Sequence, residues 1–280
     1  MRIGIVGLGL IGGSLAKLIQ AHSPQIELFG LDQDLQQVAL AQAAQLFTRV
    51  GTQTSTFPKQ MDIVFVCTPI GSITQTVESI SAYIESELIL TDVASLKNKV
   101  TPPRLFSPKH HFIPGHPMAG TEKSGFEHSR ADILSKATYF LCPPSSGAPL
   151  KTLTMYLTEL GFKVVEISTE HHDQVVGLAS HFPYLMAALT VSVCGQLTEF
   201  APPFSQAISS GFKDTTRVAS SLPLWGVDVA TGNAKALIPA LDEAMVQLNQ
   251  LKTWIVNENR QALTQYFSSA KENRERGVST

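Results

Sequence analysis

Short runs of β-branched, aromatic and leucine residues recur over the first 165 or so positions, separated by stretches whose apolar residues return every three or four places. The runs at 2–6, 26–31, 61–67, 88–91, 111–113, 139–142 and 163–167 predict strands. Residues 32–45, 72–84 and 150–160 carry helical spacing, the last ending before Gly161. Strands alternating with helices predict an α/β fold, a Rossmann-type parallel sheet wrapped by helices. After residue 167 the pattern changes. Ser168, Thr169 and Glu170 make a helix start, and a long segment rich in Ala, Leu and Val follows with no strand signal. Pro202, Pro203 and Pro223 divide it into helices near 170–199, 204–220 and 224–268, the last with a weak point at Thr231, Gly232 and Asn233. The polar tail 271–280 predicts fraying. The expected organisation is therefore an α/β part, 1–167, and an all-helical part, 168–280.

Composition narrows the classes. A chain of 280 residues with 44% hydrophobic and 16% charged residues has ample core material, which excludes bulk disorder. The net charge is -2 and no Lys/Arg block is present, which argues against a nucleic-acid partner. Cys67, Cys142 and Cys194 lie far apart in separate apolar stretches, so neither a disulfide framework nor a CxxC metal site is suggested, and a reducing cytoplasm fits. The apolar N-terminus has glycines at fixed offsets and only Arg2 ahead of it, and reads as strand and turn rather than signal peptide. Residues 175–194 are apolar but interrupted by His181 and Pro183, which suits a membrane span poorly. His110, His111, His171 and His172 lack partner ligands at helical spacing, so the expectation is surface histidines and no metal.

The strongest local motif is Gly7-Leu8-Gly9-Leu10-Ile11-Gly12, a GxGxxG set directly after a strand and at the start of a helix. Gly7 permits the tight turn, Gly9 lets backbone approach a pyrophosphate, and Gly12 lets helix pack closely on strand. Free N–H groups and the positive end of the helix dipole then face the phosphates. Asp32, at the end of the second strand, is placed to accept hydrogen bonds from an adenosine ribose. No Lys or Arg follows it until Arg49, so a 2′-phosphate would meet uncompensated negative charge, and NAD is favoured over NADP. Thr68 and Pro69, at the end of the third long strand, belong either at the cofactor crevice or in an ordinary strand-ending turn.

Two further stretches follow predicted strands, Thr91-Asp92-Val93-Ala94-Ser95-Leu96-Lys97 and Gly115-His116-Pro117-Met118-Ala119-Gly120-Thr121-Glu122-Lys123-Ser124-Gly125. Together with Ser180-His181-Phe182-Pro183 and Gly211-Phe212-Lys213-Asp214-Thr215-Thr216-Arg217, they resemble the prephenate/arogenate dehydrogenase family of tyrosine biosynthesis over nearly the whole chain. The resemblance implies an oxidative decarboxylation, in which hydride leaves the hydroxyl-bearing ring carbon for the nicotinamide as carbon dioxide departs. It implies His116 as acceptor of the ring-hydroxyl proton, a task suited to a neutral imidazole, and Ser95 as the hydroxyl that bridges His116, substrate and nicotinamide. A substrate with two carboxylates needs a cation, and Arg217 is the candidate. His181, Thr121, Lys123 and Trp225 are weaker pocket candidates. Each residue also has a plainer reading: His116 as a buried structural histidine, Ser95 as a helix N-cap, Arg217 as a surface residue paired to Asp214, His181 as a core histidine. The excess apolar surface of the helical part, like the resemblance, implies a homodimer.

Two competitors remain. A β-hydroxyacid dehydrogenase would need a lysine in the first long helix, and 168–212 contains none. An NAD-binding redox sensor would leave Ser95 and His116 without a task. Prephenate and arogenate, which differ by a keto group against an ammonium, stay unresolved. The fingerprint begins at Gly7, and the expectation is that neither a mutase domain before it nor a regulatory domain after the helices accompanies these parts.

Overall fold

Apolar residues fill both faces of the central strands, as expected where helices cover a parallel sheet on two sides. A computed structural model describes residues 1–100 and 107–278. Its strands are β1 (Arg2–Val6), β2 (Glu27–Leu31), β3 (Arg49–Gly51), β4 (Ile63–Val66), β5 (Leu88–Asp92), β6 (His110–Phe112), β7 (Gly115–Pro117), β8 (Thr138–Leu141) and β9 (Lys163–Glu166). The first six form one parallel sheet in the order β3-β2-β1-β4-β5-β6, the dinucleotide-binding arrangement whose ligand crevice opens at the strand C-termini where the order reverses, between β1 and β4. Every residue of β4 and β5 is buried.

The helices that cover this sheet are α1 (Leu10–His22), α2 (Leu35–Ala43) and α3 (Ile73–Tyr83). Two apolar clusters form, one around Ile3, Ile5, Leu15 and Phe65 and the other around Val64, Val66, Val77 and Leu90. α2 begins later than its apolar spacing predicts because Asp34, not Asp32, is its N-cap, accepting from the Gln36 amide at 2.8 Å. Asp32 is thereby left in the loop.

The expectation of one sheet needs correction. β8 and β9 leave it and form a second, three-stranded sheet with β7, which pairs antiparallel with β8. The chain passes from β6 to β7 through Ile113 and Pro114, with the Cys142 amide bonded to the Pro114 carbonyl. α4 (Ala148–Glu159) connects β8 to β9.

The helical part comprises α5 (Thr169–Val176), a π-helical turn (Gly177–His181), α6 (Phe182–Thr198), α7 (Phe204–Ala207), α8 (Ser210–Thr216), a 3-10 turn (Arg217–Ser220), α9 (Pro223–Gly232), α10 (Ala234–Val256) and α11 (Arg260–Val278). Proline ends or starts helices where expected, but residues 224–268 are broken twice, at Asn233 and at 257–259. The polar tail is helical through Val278 rather than frayed, while 279–280 lie outside the described residues. By packing, the chain forms two compact units, Met1–Asn233 and Ala234–Thr280. α5 is tied to the loop after β5 by buried polar contacts.

Candidate active site

The glycine turn adopts the geometry its sequence demands. Gly7 has φ +92°, and a Cβ there would lie 2.5 Å from the Cys67 carbonyl oxygen. A Cβ on Gly12 would lie 1.9 Å from the Gly7 carbonyl oxygen, so α1 can approach β1 only without a side chain at that position. Nothing lies within 4 Å of a Cβ on Gly9, which leaves open space over the turn for a phosphate group. α1 has no side-chain N-cap, so its first amides remain available to an anion. Asp32 accepts from the Leu8 amide at 2.6 Å and from the Asp34 amide at 2.9 Å, which fixes its carboxylate beside the glycine turn. Leu10 and Ile11 open α1. Thr68 and Pro69 follow β4 at the crevice, and the buried Thr68 hydroxyl has no partner among the described residues. These residues fit a dinucleotide.

Val66 of β4 pairs with Asp92 of β5, which brings the loop after β5 to the same crevice. Ser95 lies half-buried in that loop, outside any helix, so the capping reading fails. His116, the middle residue of β7, is 8% exposed. Its Nδ1 lies 2.9 Å from Nε2 of His172, so its ring hydrogen bond goes to His172 rather than to Ser95. His172 Nδ1 in turn lies 2.8 Å from Oδ1 of Asp173. Asp173 also accepts from the Lys97 and Asn98 amides, each at 2.9 Å. Burial opposes ionisation of Asp173, but the His172 bond and the two amides outweigh it and hold the carboxyl below its ordinary range.

The chain Asp173–His172–His116 determines proton placement. With both rings neutral, His172 donates from Nδ1 to the carboxylate and accepts at Nε2 from the Nδ1–H of His116. His116 Nε2 is left as an acceptor. Burial, then the Lys97 ammonium and the neighbouring His172 and His181, push His116 well below the ordinary histidine range, so the ring is neutral at physiological pH.

This arrangement corrects the view of His110, His111, His171 and His172 as surface groups. His172 is fully buried, and His110 is buried between Ser81 and the Ser86 carbonyl. His171 is exposed, and His111 is half-buried with its ring at 3.3 Å from Glu87. A polar helix start gives no sign that its histidine turns inward, which is why His172 and Asp173 escaped notice. Lys97, the last residue of the 91–97 stretch, is likewise buried, at 2% exposure. No group of three His, Cys, Asp or Glu side chains suited to a metal ion occurs among the described residues.

The remaining candidates lie in the helical part and in the loop after β7. His181 ends the π-helical turn, fully buried, and accepts at Nδ1 from Asn233 at 3.2 Å. Its Nε2 has no partner among the described residues, and burial pulls its titration down to about 4. Trp225 stands edge-on to His181 at 5.9 Å and to Tyr184 at 5.0 Å. Thr121 and Lys123 are exposed, with the Lys123 amide bonded to the Thr121 hydroxyl. Arg217 is not paired with Asp214. Its guanidinium, 60% exposed, meets Glu122 at 3.2 Å.

Among the described residues one helical run, Thr169–Thr198, is long and apolar enough to cross a membrane by length and composition. It also carries His172, Asp173 and His181, whose hydrogen bonds reach the loop after β5, β7 and Asn233.

Comparison with known proteins agrees with this layout. The pattern of the prephenate dehydrogenase nucleotide-binding domain matches residues 15–166, and that of the prephenate dehydrogenase dimerization domain matches residues 168–269. The prephenate dehydrogenase of Bacillus subtilis is 31% identical over 277 residues, 97% of this chain and 74% of that protein. The cyclohexadienyl dehydrogenase of Zymomonas mobilis is 29% identical, over 98% of this chain and 94% of that protein. Among solved structures, Synechocystis arogenate dehydrogenase superposes with a TM-score of 0.80 at 33% identity, covering 99% of this chain and 100% of that one. Prephenate dehydrogenase from A. aeolicus, in complex with hydroxyphenyl propionate and NAD+, superposes at 0.83 with 26% identity, covering 99% of this chain and 98% of that one. A dinucleotide crevice meeting a buried imidazole chain at one sheet edge, in a chain matched along both of its parts, places this protein in the prephenate dehydrogenase family.

Proposed function

We propose that the protein oxidatively decarboxylates prephenate to 4-hydroxyphenylpyruvate with NAD as the hydride acceptor. The observation that carries this reading is the buried, neutral His116, whose Nε2 is kept free to accept a proton by the His172 and Asp173 chain. His116 takes the ring-hydroxyl proton as hydride leaves the same carbon, and the ring carboxylate departs as carbon dioxide. Ser95, in the loop between β5 and the imidazole chain, hydrogen-bonds the substrate hydroxyl and orients it. Bound NAD supplies the acceptor of the hydride. Gly7, Gly9 and Gly12 let it approach, and the Asp32 carboxylate meets its ribose hydroxyls. Asp32 also disfavours a 2′-phosphate, as no Lys or Arg follows it in sequence until Arg49.

Arg217 binds a substrate carboxylate. Exposed ion pairs hold weakly, so Glu122 gives way to a carboxylate that brings better geometry. His181 and Trp225 wall the pocket, with Thr121 and Lys123 at its mouth. The substrate is a small molecule, and nucleic acid and membrane have no part. α6 leaves Leu189, Val193 and Leu197 exposed, and α10 leaves Met245, Val246 and Ile255 exposed, surfaces that a second copy covers in a homodimer. A cytoplasmic location suits the three free cysteines.

Arogenate is the second reading, favoured by the 33% identity to the Synechocystis arogenate dehydrogenase. Steady-state kinetics with both substrates and both cofactors test the assignment. The expected result is the highest kcat/KM with prephenate and NAD. Failure to reduce either cofactor with either substrate, by protein that still binds NAD, would overturn the enzymatic reading in favour of a redox sensor.

A further inference from the structure

One buried charge pair has no place in the chemistry so far. Asp92, the last residue of β5, and Lys97, five residues on, both have fully buried side chains, and the Lys97 ammonium bonds directly to Asp92 Oδ2. Bringing two charges out of water costs several kcal/mol each, and such pairs are weak sources of stability. The arrangement of their other bonds explains what they do.

Asp92 Oδ2 also accepts from the Ala94 amide at 3.1 Å, and Oδ1 accepts from the Gly115 amide at 3.1 Å. Lys97 donates a second bond from Nζ to the Gly115 carbonyl at 2.5 Å. The two side chains therefore hold both backbone polar groups of the residue immediately before His116. The same pair closes the loop 92–97 on itself, and Ser95 lies inside that closed loop. From the other side, the Lys97 backbone amide donates to Asp173, which bonds His172, which bonds His116. A flexible lysine stem is held at both ends, and its three attachments are the strand of one histidine, the carboxylate behind the other, and the loop of the serine.

We propose that Lys97, fixed by Asp92, is the positioning residue that sets His116, the His172–Asp173 chain and Ser95 relative to one another. A neutral residue would fill the space but leave the Gly115 carbonyl without its charged donor and Asp92 as an unpaired buried anion. The titratable groups around His116 are Asp92 at the end of β5, Lys97 from the loop after it, His172 and Asp173 from α5, and His181 from the π-helical turn, while its partner strand β8 presents Phe140 and Tyr139. Losing the ammonium from that set removes a repulsion on protonated His116, so the ring titrates at higher pH.

The inference rests on the proposed reaction for its kinetic arm, and its spectroscopic arm is independent of any substrate. Lys97→Met, Lys97→Arg and the charge-neutral double variant Asp92→Asn/Lys97→Met are compared with wild type. Nitrogen-15 NMR of the histidine rings follows titration and tautomer of His116 in the full-length protein, with NAD affinity and circular dichroism reporting the fold. In Lys97→Met the expected result is NAD affinity within about threefold of wild type, His116 titrating at higher pH with mixed tautomers, and kcat at least tenfold lower. Lys97→Arg should restore the titration and part of kcat. If Lys97→Met fails to fold, the double variant carries the test, with mixed His116 tautomers and reduced kcat expected. An unaltered His116 titration and tautomer in a folded variant would overturn the inference, as would wild-type kcat. Wild-type protein inactive toward both substrates would instead remove the proposed reaction, and the NMR arm would still decide the positioning role.

Discussion

His116 is asked to accept a proton in a place where it cannot easily hold one. Burial and the nearby Lys97 ammonium keep the ring neutral, and the two-step chain behind it keeps one nitrogen open. His116→Asn preserves size and one donor but removes the base, so kcat should fall by at least about 10²-fold with substrate affinity little changed. Steady-state kinetics check this, and turnover near wild type would remove His116 from the chemistry. The pH profile follows from the direction of the shift. A depressed histidine is active above its own titration, so activity should stay level as pH falls through the ordinary histidine range and drop only below it. At this scale the sequence was informative where a residue sits in a distinctive string. His116 and Ser95 stood out through the motifs around them. His172 did not, because its inward rotation depends on a partner more than fifty positions away, and Lys97, though it ends one of those motifs, gave no sign of its bond to a backbone carbonyl.

Among elements, the glycine turn is the most constrained. Gly12→Ala would drive a methyl against the Gly7 carbonyl oxygen, so α1 has to shift from β1. We expect a loss of about 1–3 kcal/mol by denaturant unfolding, together with loss of NAD binding. Most elements were legible because strands and helices each follow one period. The second sheet was not, since β7 has only three residues, and the apolar run of β8 fits either sheet. The π-helical turn was equally hidden. In a regular helix of about 3.6 residues per turn, His172 and His181, nine positions apart, would face opposite sides. The extra residue taken up by the wider turn rotates the second by roughly 100° and leaves the two within about a quarter turn of each other. Deleting Ala179 should therefore keep helix content by circular dichroism while raising KM for the substrate at least about tenfold. An unaltered KM would show that the wider turn is incidental to the pocket.

For the whole molecule, the fold class followed from the order of strand and helix signals. Composition changes at residue 167, and the hydrogen bonds of α5 to the loop after β5 cross that point, a link that no local pattern shows. One continuous run, Thr169–Thr198, thus serves two ends: its first turns hold His172 and Asp173, and its last turns expose Leu189, Val193 and Leu197. Val193→Glu, which places a charge in that apolar stripe, should shift the mass in light scattering from dimer toward monomer. A dimer mass unaffected by it would move the interface off α6. If the stripe is where two copies meet, mass action reaches the imidazole chain. Specific activity should then decline on serial dilution through the dimer dissociation constant and recover when the sample is concentrated again, with NAD affinity constant throughout, because the glycine turn lies on strands that α6 does not carry.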